Sequence, residues 1–271
     1  MDGWKIIGIS PKVANLPSQP NFMKKDRMNV LVVGDTTRLA EFQQLEIQQA
    51  DCSYHNITTA PLVTHWQDDM FDLPAPGQET PDLSQYDVVF DLVMDDHDEH
   101  YDLYLHHPHL LVFGSTAKTT LSEFASTFFP ERIPNIFGIN ALPTFLNRPL
   151  LEVSCLPEGD YDAAADVLDR FGLKHVFVKD QVGFVSARVV CMIINEAYFV
   201  YGEGTADQDA VDNAMKLGTN YPHGPFAWGR KIGLMHVKEL LDALHDSTND
   251  SRYKVAPALN QAAQLSHAFQ G

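Results

Sequence analysis

The densest chemistry in this chain of 271 residues lies between Asp95 and His109, a stretch that holds five histidines and five carboxylates. His97 and His100 stand three apart, which on a helix puts both rings on one face, where they can share a metal ion with Asp96. The competing reading is a solvated acidic helix that leads into a loop. The three cysteines, Cys52, Cys155 and Cys191, form no C-x-x-C pair. They read as free thiols of a reducing compartment. Ser115 follows Gly114 but lacks the second glycine and the elbow context of a nucleophilic serine.

Composition narrows the partners. Nineteen Lys and Arg against 36 Asp and Glu give a net charge of −17, so the chain repels nucleic acid and anionic membrane, and neither is expected as a partner. Any anionic ligand must be held by local donors. No run approaches a membrane span and the N-terminus lacks the apolar stretch of a signal peptide, so the expected location is cytoplasmic.

The elements that must position this chemistry fall into two regimes. Residues 1–28 are an N-terminal extension of undecided structure, either an extra edge strand or residues ahead of the true start. From 29 to 180, short apolar runs alternate with helical segments. Asn29–Gly34, Cys52–Ile57, Asp87–Val93, Leu110–Gly114, Ile133–Asn140, Leu150–Leu156 and His175–Asp180 read as strands. Thr37–Ala50 and Tyr161–Phe171 read as helices, the second with Gly172 at its C-cap. Residues 58–85 carry four prolines and read mostly as loop. This alternation implies a parallel, doubly wound or nearly doubly wound sheet. From 181 to 271 the pattern is helical: Phe184–Tyr201, a helix opened by a capping box at Thr205–Gln208 and ending at Gly218, Leu234–Leu244 and Pro257–Phe269. Phe184–Tyr201 is apolar on nearly every face, which calls for a partner surface.

An ordered set of motifs in this half carries a family resemblance. Lys179-Asp-Gln-Val-Gly-Phe-Val-Ser-Ala-Arg188, then Asn195-Glu-Ala197, then Ala214-Met-Lys-Leu-Gly-Thr-Asn-Tyr-Pro-His-Gly-Pro-Phe226 resembles the C-terminal domain of 3-hydroxyacyl-CoA dehydrogenases. Upstream, Phe137 to Val153 resembles the family segment that bears its catalytic pair, with Gly138, Leu150, Glu152 and Val153 matching. Leu111 to Leu121 resembles the strand and hydroxyl-bearing turn before it. The resemblance extends over about three quarters of the chain and is weakest between residues 58 and 86. It implies an α/β Rossmann-like domain over 29–180 followed by an all-α dimerisation domain over 181–271, hence a homodimer. The implied activity is NAD-dependent oxidation of 3-hydroxyacyl-CoA. Glu152 and Asn140, with Thr119, take the catalytic positions; Gly34, Asp35, Thr36 and Arg38 take the cofactor turn; Ala187, Arg188, Pro225 and Phe226 take the substrate cleft.

Departures from the family pattern fall on the chemistry. The family's proton-accepting histidine, twelve residues before the glutamate, is Asn140 here, and an amide accepts no proton near neutral pH. Removing a positioned base costs about 10²- to 10⁴-fold in rate. Ala187 replaces an asparagine that would hold substrate. The G-x-G-x-x-G turn is Gly34-Asp-Thr-Thr-Arg-Leu39 and keeps only its first glycine. Asn56 and Ile57 stand where an acidic ribose ligand is expected, and Arg38 offers a cation for some other phosphate. The expectation is a divergent member that binds an acyl-CoA-like or other small ligand and is impaired in hydride transfer. The alternatives are a working oxidoreductase with altered cofactor contacts and a non-enzymatic dimer that binds a partner.

Overall fold

The computed structural model describes residues 25–58, 62, 66–67, 70–71, 81–128, 134–157 and 159–268. Most of the extension expected at 1–28, and the ends expected at Ile133 and Phe269, lie outside them.

Seven strands form one sheet: β1 (Met28–Gly34), β2 (Ala50–Asn56), β5 (Val88–Asp91), β6 (Leu111–Ser115), β7 (Ile136–Ile139), β8 (Leu151–Ser154) and β9 (His175–Phe177). Two short strands, β3 (Trp66–Gln67) and β4 (Met70–Phe71), pair with each other in the expected loop. The sheet order is β2-β1-β5-β6-β7-β8-β9. All its pairings are parallel except β7 with β8, so the expected parallel sheet holds with one reversal. The chain leaves β1 toward β2 on one side and resumes at β5 on the other, which makes the crevice between the ends of β1 and β5 the switch point where open α/β sheets bind ligands.

Alternation along β1 sorts the core into two faces. Met28, Val30 and Val32 pack with α1 (Thr36–Phe42) and α4 (Tyr161–Arg170). Leu31 and Val33 pack with α2 (Glu99–Leu105) and α3 (Leu121–Phe128). Phe90, Phe113 and Phe137 stand opposite one another on β5, β6 and β7, with centroids 4.9 and 5.7 Å apart, and form an aromatic ladder across the sheet. Helix α1 stops at Phe42 rather than near Ala50, because β2 already begins at Ala50, in register with Met28, after Gln49 turns at φ 51°.

The C-terminal half holds α5 (Ser186–Gly202), α6 (Gln208–Thr219), α7 (Pro225–Ile232), α8 (Leu234–Thr248) and α9 (Pro257–Ala268). Ala187, Val190, Cys191, Ile194 and Tyr198 of α5 form the buried stripe against α7, α8 and α9. Its opposite face is open within one chain, with Val185 and Val189 56% and 52% exposed. Asn195 on the buried side accepts from Ala256 N and donates to Lys254 O, tying α5 to the entrance of α9. The cap of α6 is Asp207, which accepts from Ala210 N, rather than Thr205; the helix ends at Asn220, in the left-handed region, rather than at Gly218. Helix α7, absent from the sequence expectation, begins beneath Asp212, whose carboxylate accepts from Phe226 N and Ala227 N. Gly224 is required there, since a Cβ would stand 2.3 Å from Asp212 Cγ. No helix among the described residues is long and apolar enough to cross a membrane.

Candidate functional site

A cavity of about 290 Å³ opens where β7 and β8 meet the N-terminus of α5 and the flank of α7, lined in part by Asn140, Arg148, Glu152, Ser186, Val190 and Trp228. Asn140 follows β7 directly and is 3% exposed. Its Nδ2 donates to Ser186 Oγ at 3.2 Å, and Ser186 Oγ donates to Glu152 Oε2 at 2.8 Å. Glu152 also accepts from Ser186 N at 3.0 Å, so it serves as the cap of α5, where a carboxylate meets the positive end of the helix. The expected pair thus lies within one site, but Glu152 reaches Asn140 only through Ser186. Ser186 carries no signal in the sequence, since its position is unspecified in the family pattern and its partners lie 34 and 46 residues away.

Arg148 supplies the cavity's cation. Its Nε donates to Thr144 O at 2.7 Å, and its guanidinium lies 5.7 and 5.5 Å from the ring centroids of Phe145 and Trp228. Thr144 is held at φ 77°, a costly conformation for a β-branched residue. Three contacts hold it: its N donates to Glu41, its O accepts from Arg148, and its Oγ1 accepts from Trp228 Nε1.

The crevice at the switch point is filled by the chain's own groups. Asp35 Oδ1 accepts from Thr37 N and Arg38 N at 2.8 and 2.9 Å, taking the helix-start donors that a phosphate would use. Thr36 Oγ1 accepts from Asn56 Nδ2, and Leu39 packs on the α-carbon side of Gly34. Arg38 is 1% exposed, so it is not presented to a phosphate as expected; it donates to Ala141 O, Asp35 and Asp96. Burial works against its charge, but Asp96, Asp95 and Asp35 outweigh it and hold its pKa up. Beside it, Lys118 Nζ meets Asp96 and Glu239, with His236 Nδ1 at 3.4 Å, so that one ammonium joins the sheet to α8. Burial disfavours the ionised carboxylates, yet the surrounding cations prevail and hold Asp96 and Glu239 down to about 2 each. Lys118, His236 and Glu239 escaped the sequence reading, since residues 118 apart share no local pattern.

Several nominated residues are employed elsewhere. Thr119 donates to Glu123, and Thr120 with Glu123 forms a reciprocal capping box for α3, so this hydroxyl pair fixes a helix start rather than joining Asn140. Ala187 is fully buried in the helical core. Arg188 donates to Val182 O and lies over Tyr253. Pro225 opens α7 and Phe226 packs on Tyr198. These four do not line the cavity. Asp96, expected beside His97 and His100, is turned instead toward Arg38 and Lys118; Glu99 takes its place in that cluster. Cys52, Cys155 and Cys191 are free, as expected.

The family model described as "3-hydroxyacyl-CoA dehydrogenase, C-terminal domain" matches residues 183–269. A probable 3-hydroxybutyryl-CoA dehydrogenase of Bacillus subtilis (strain 168) is 34% identical over 158 residues, 57% of this chain and 54% of that protein. The 3-hydroxybutyryl-CoA dehydrogenase of Clostridioides difficile is 27% identical over 184 residues, 66% of each. The matched part of the chain thus spans between half and two thirds of these relatives. The crystal structure of (S)-3-hydroxybutyryl-CoA dehydrogenase from Ralstonia eutropha shares the fold, with a TM-score of 0.66 at 20% identity over 89% of this chain and 94% of that one. Residues 183–269 thus match the C-terminal domain of the 3-hydroxyacyl-CoA dehydrogenase family, and the Rossmann-like sheet ahead of them gives the chain the fold of a solved 3-hydroxybutyryl-CoA dehydrogenase.

Proposed function

We propose that this chain is a divergent family member that binds an acyl-CoA-like ligand at the Asn140–Ser186–Glu152 cavity and is impaired in hydride transfer. The observation that carries the reading is the Asp35 carboxylate seated on the first amides of α1. NAD is the cofactor implied by resemblance, and the residues at the turn do not fit its pyrophosphate. The amides are taken, the buried Arg38 is committed to carboxylates, and Asp35 would repel an incoming anion. At the cavity, Asn140 can donate to a substrate oxygen but cannot take its proton.

A second reading, a working oxidoreductase, is favoured by the names of the relatives and by the cavity's Ser186 hydroxyl, which donates to Glu152 and can pass a proton to that carboxylate without Asn140 taking part. Calorimetry with NADH and acetoacetyl-CoA, separately and together, decides between them. The first reading expects heat from acetoacetyl-CoA and weak NADH binding; a low-micromolar NADH dissociation constant supports the second.

The proposed assembly is a homodimer, supported by the exposed Val185 just ahead of α5, Val189 and Tyr201 on α5, and Leu217 on α6. A cytoplasmic location accords with three free cysteines.

A further inference from the structure

The five histidines of the 95–109 stretch divide into two sets. His106 and His107 each place Nδ1 against a backbone carbonyl four residues earlier, and His109 Nε2 is 3.2 Å from Leu83 O. These three are occupied at the end of α2 and in the loop after it. His97 and His100 remain, with rings stacked 5.1 Å apart and Glu99 beside them.

We propose that His97, Glu99 and His100 form a binding site for one divalent transition-metal ion of the zinc type. One ligand atom from each lies within 4.8 Å of the others, and His97 Nδ1 is already 3.3 Å from Glu99 Oε1. Two imidazoles and a carboxylate are a donor set that zinc accepts, with water in the remaining position.

The groups behind these side chains strengthen the assignment. His100 is 1% exposed, and its Nδ1 lies 2.7 Å from Asp91 Oδ2. Asp91 is fully buried and also accepts from Tyr104 OH at 2.7 Å and Val93 N at 3.0 Å. A carboxylate on one ring nitrogen orients the imidazole and leaves the lone pair of a neutral ring on Nε2, the arrangement found behind metal-bound histidines. Zinc bonds of about 2.0–2.2 Å bring tetrahedral ligand atoms to about 3.4 Å apart, so the trio must close by up to about 1.4 Å and the His97 ring must turn out of its stack on His100. His97 and Glu99, both partly exposed at the start of α2, can make that movement while His100 stays fixed.

A built-in control exists. Asp96, His236 and Glu239 satisfy the same spacing, but the Lys118 ammonium contacts all three and already supplies their cation.

The test titrates metal-free protein with zinc chloride against a chromogenic chelator, and repeats it with cobalt chloride to read visible absorption. The expected result is one ion per chain, with a cobalt band that disappears in H97N and E99Q. Supporting residues alone are worth about 10- to 100-fold in affinity, so loss of a direct ligand should weaken zinc by at least about 100-fold. H236N should bind as the wild type does. An absence of zinc binding, equal binding by H97N or E99Q, or loss of binding in H236N overturns the proposal. Circular dichroism checks that each variant is folded, and two independent ligand variants keep the test decisive if one is not.

Discussion

At residue scale the proposed function turns on Asn140. Asn140 donates into a chain that ends on Glu152, and that carboxylate is already engaged with both the amide and hydroxyl of Ser186. N140H restores a titratable group, yet Glu152 must leave Ser186 to orient it, and the cofactor turn remains filled. Groups that act together are not additive, so N140H is expected to recover little of the roughly 10²- to 10⁴-fold that a positioned base supplies. Steady-state reduction of acetoacetyl-CoA by the variant checks this; recovery to the level of an active relative contradicts it. Ser186→Ala removes a hydrogen bond to a charged group and should lower unfolding stability by about 1.5–3 kcal/mol, measured by urea denaturation.

Within the elements, capping carboxylates do much of the positioning. Asp35 starts α1, Glu152 starts α5 and Asp212 starts α7. Asp35→Ala should cost about 0.5–2 kcal/mol in thermal or urea unfolding. It also frees two amides, so NADH affinity should rise even as stability falls; affinity that stays flat shows that the turn is blocked elsewhere. The Lys118 junction adds a pH signature. Glu239 is held at about 2, below its ordinary 4.5, so its contribution is complete above that ordinary value and is lost as pH falls toward 2. The melting-temperature gap between wild type and E239Q should therefore be largest at neutral pH and close between about pH 4.5 and 2. These elements were unequally legible in the sequence. The strand at β1 shows as an apolar run closed by Gly34, and α4 shows its apolar period with Gly172 just beyond it. Helix α7 was hidden because Gly224-Pro225-Phe226 reads as a turn, and its cap, Asp212, comes from another helix. Asn140 and Glu152 are legible through the fainter family resemblance over Phe137–Val153, whereas Ser186, Arg148 and Lys118 take their places only once distant segments pack.

For the whole molecule, the sheet and the helical half meet around a crevice whose ligands are supplied by the chain itself. Arg38, Lys118 and their carboxylates occupy the switch point, while the Asn140 cavity stays open. The apolar face of α5 bearing Val185 and Val189 should be covered in solution. Light scattering at micromolar concentration is expected to give a dimer, and Val189→Asp to shift it toward monomer; a monomeric wild type removes that part of the account. The central proposal is that the chain binds its ligand at the Asn140 cavity and is impaired in hydride transfer. It is tested most directly by following NADH absorbance in the presence of acetoacetyl-CoA, with purified wild-type protein and E152Q side by side. The account predicts little or no NADH oxidation by either protein. Rapid oxidation by the wild type would contradict it, and its persistence in E152Q would also place the chemistry elsewhere in the chain.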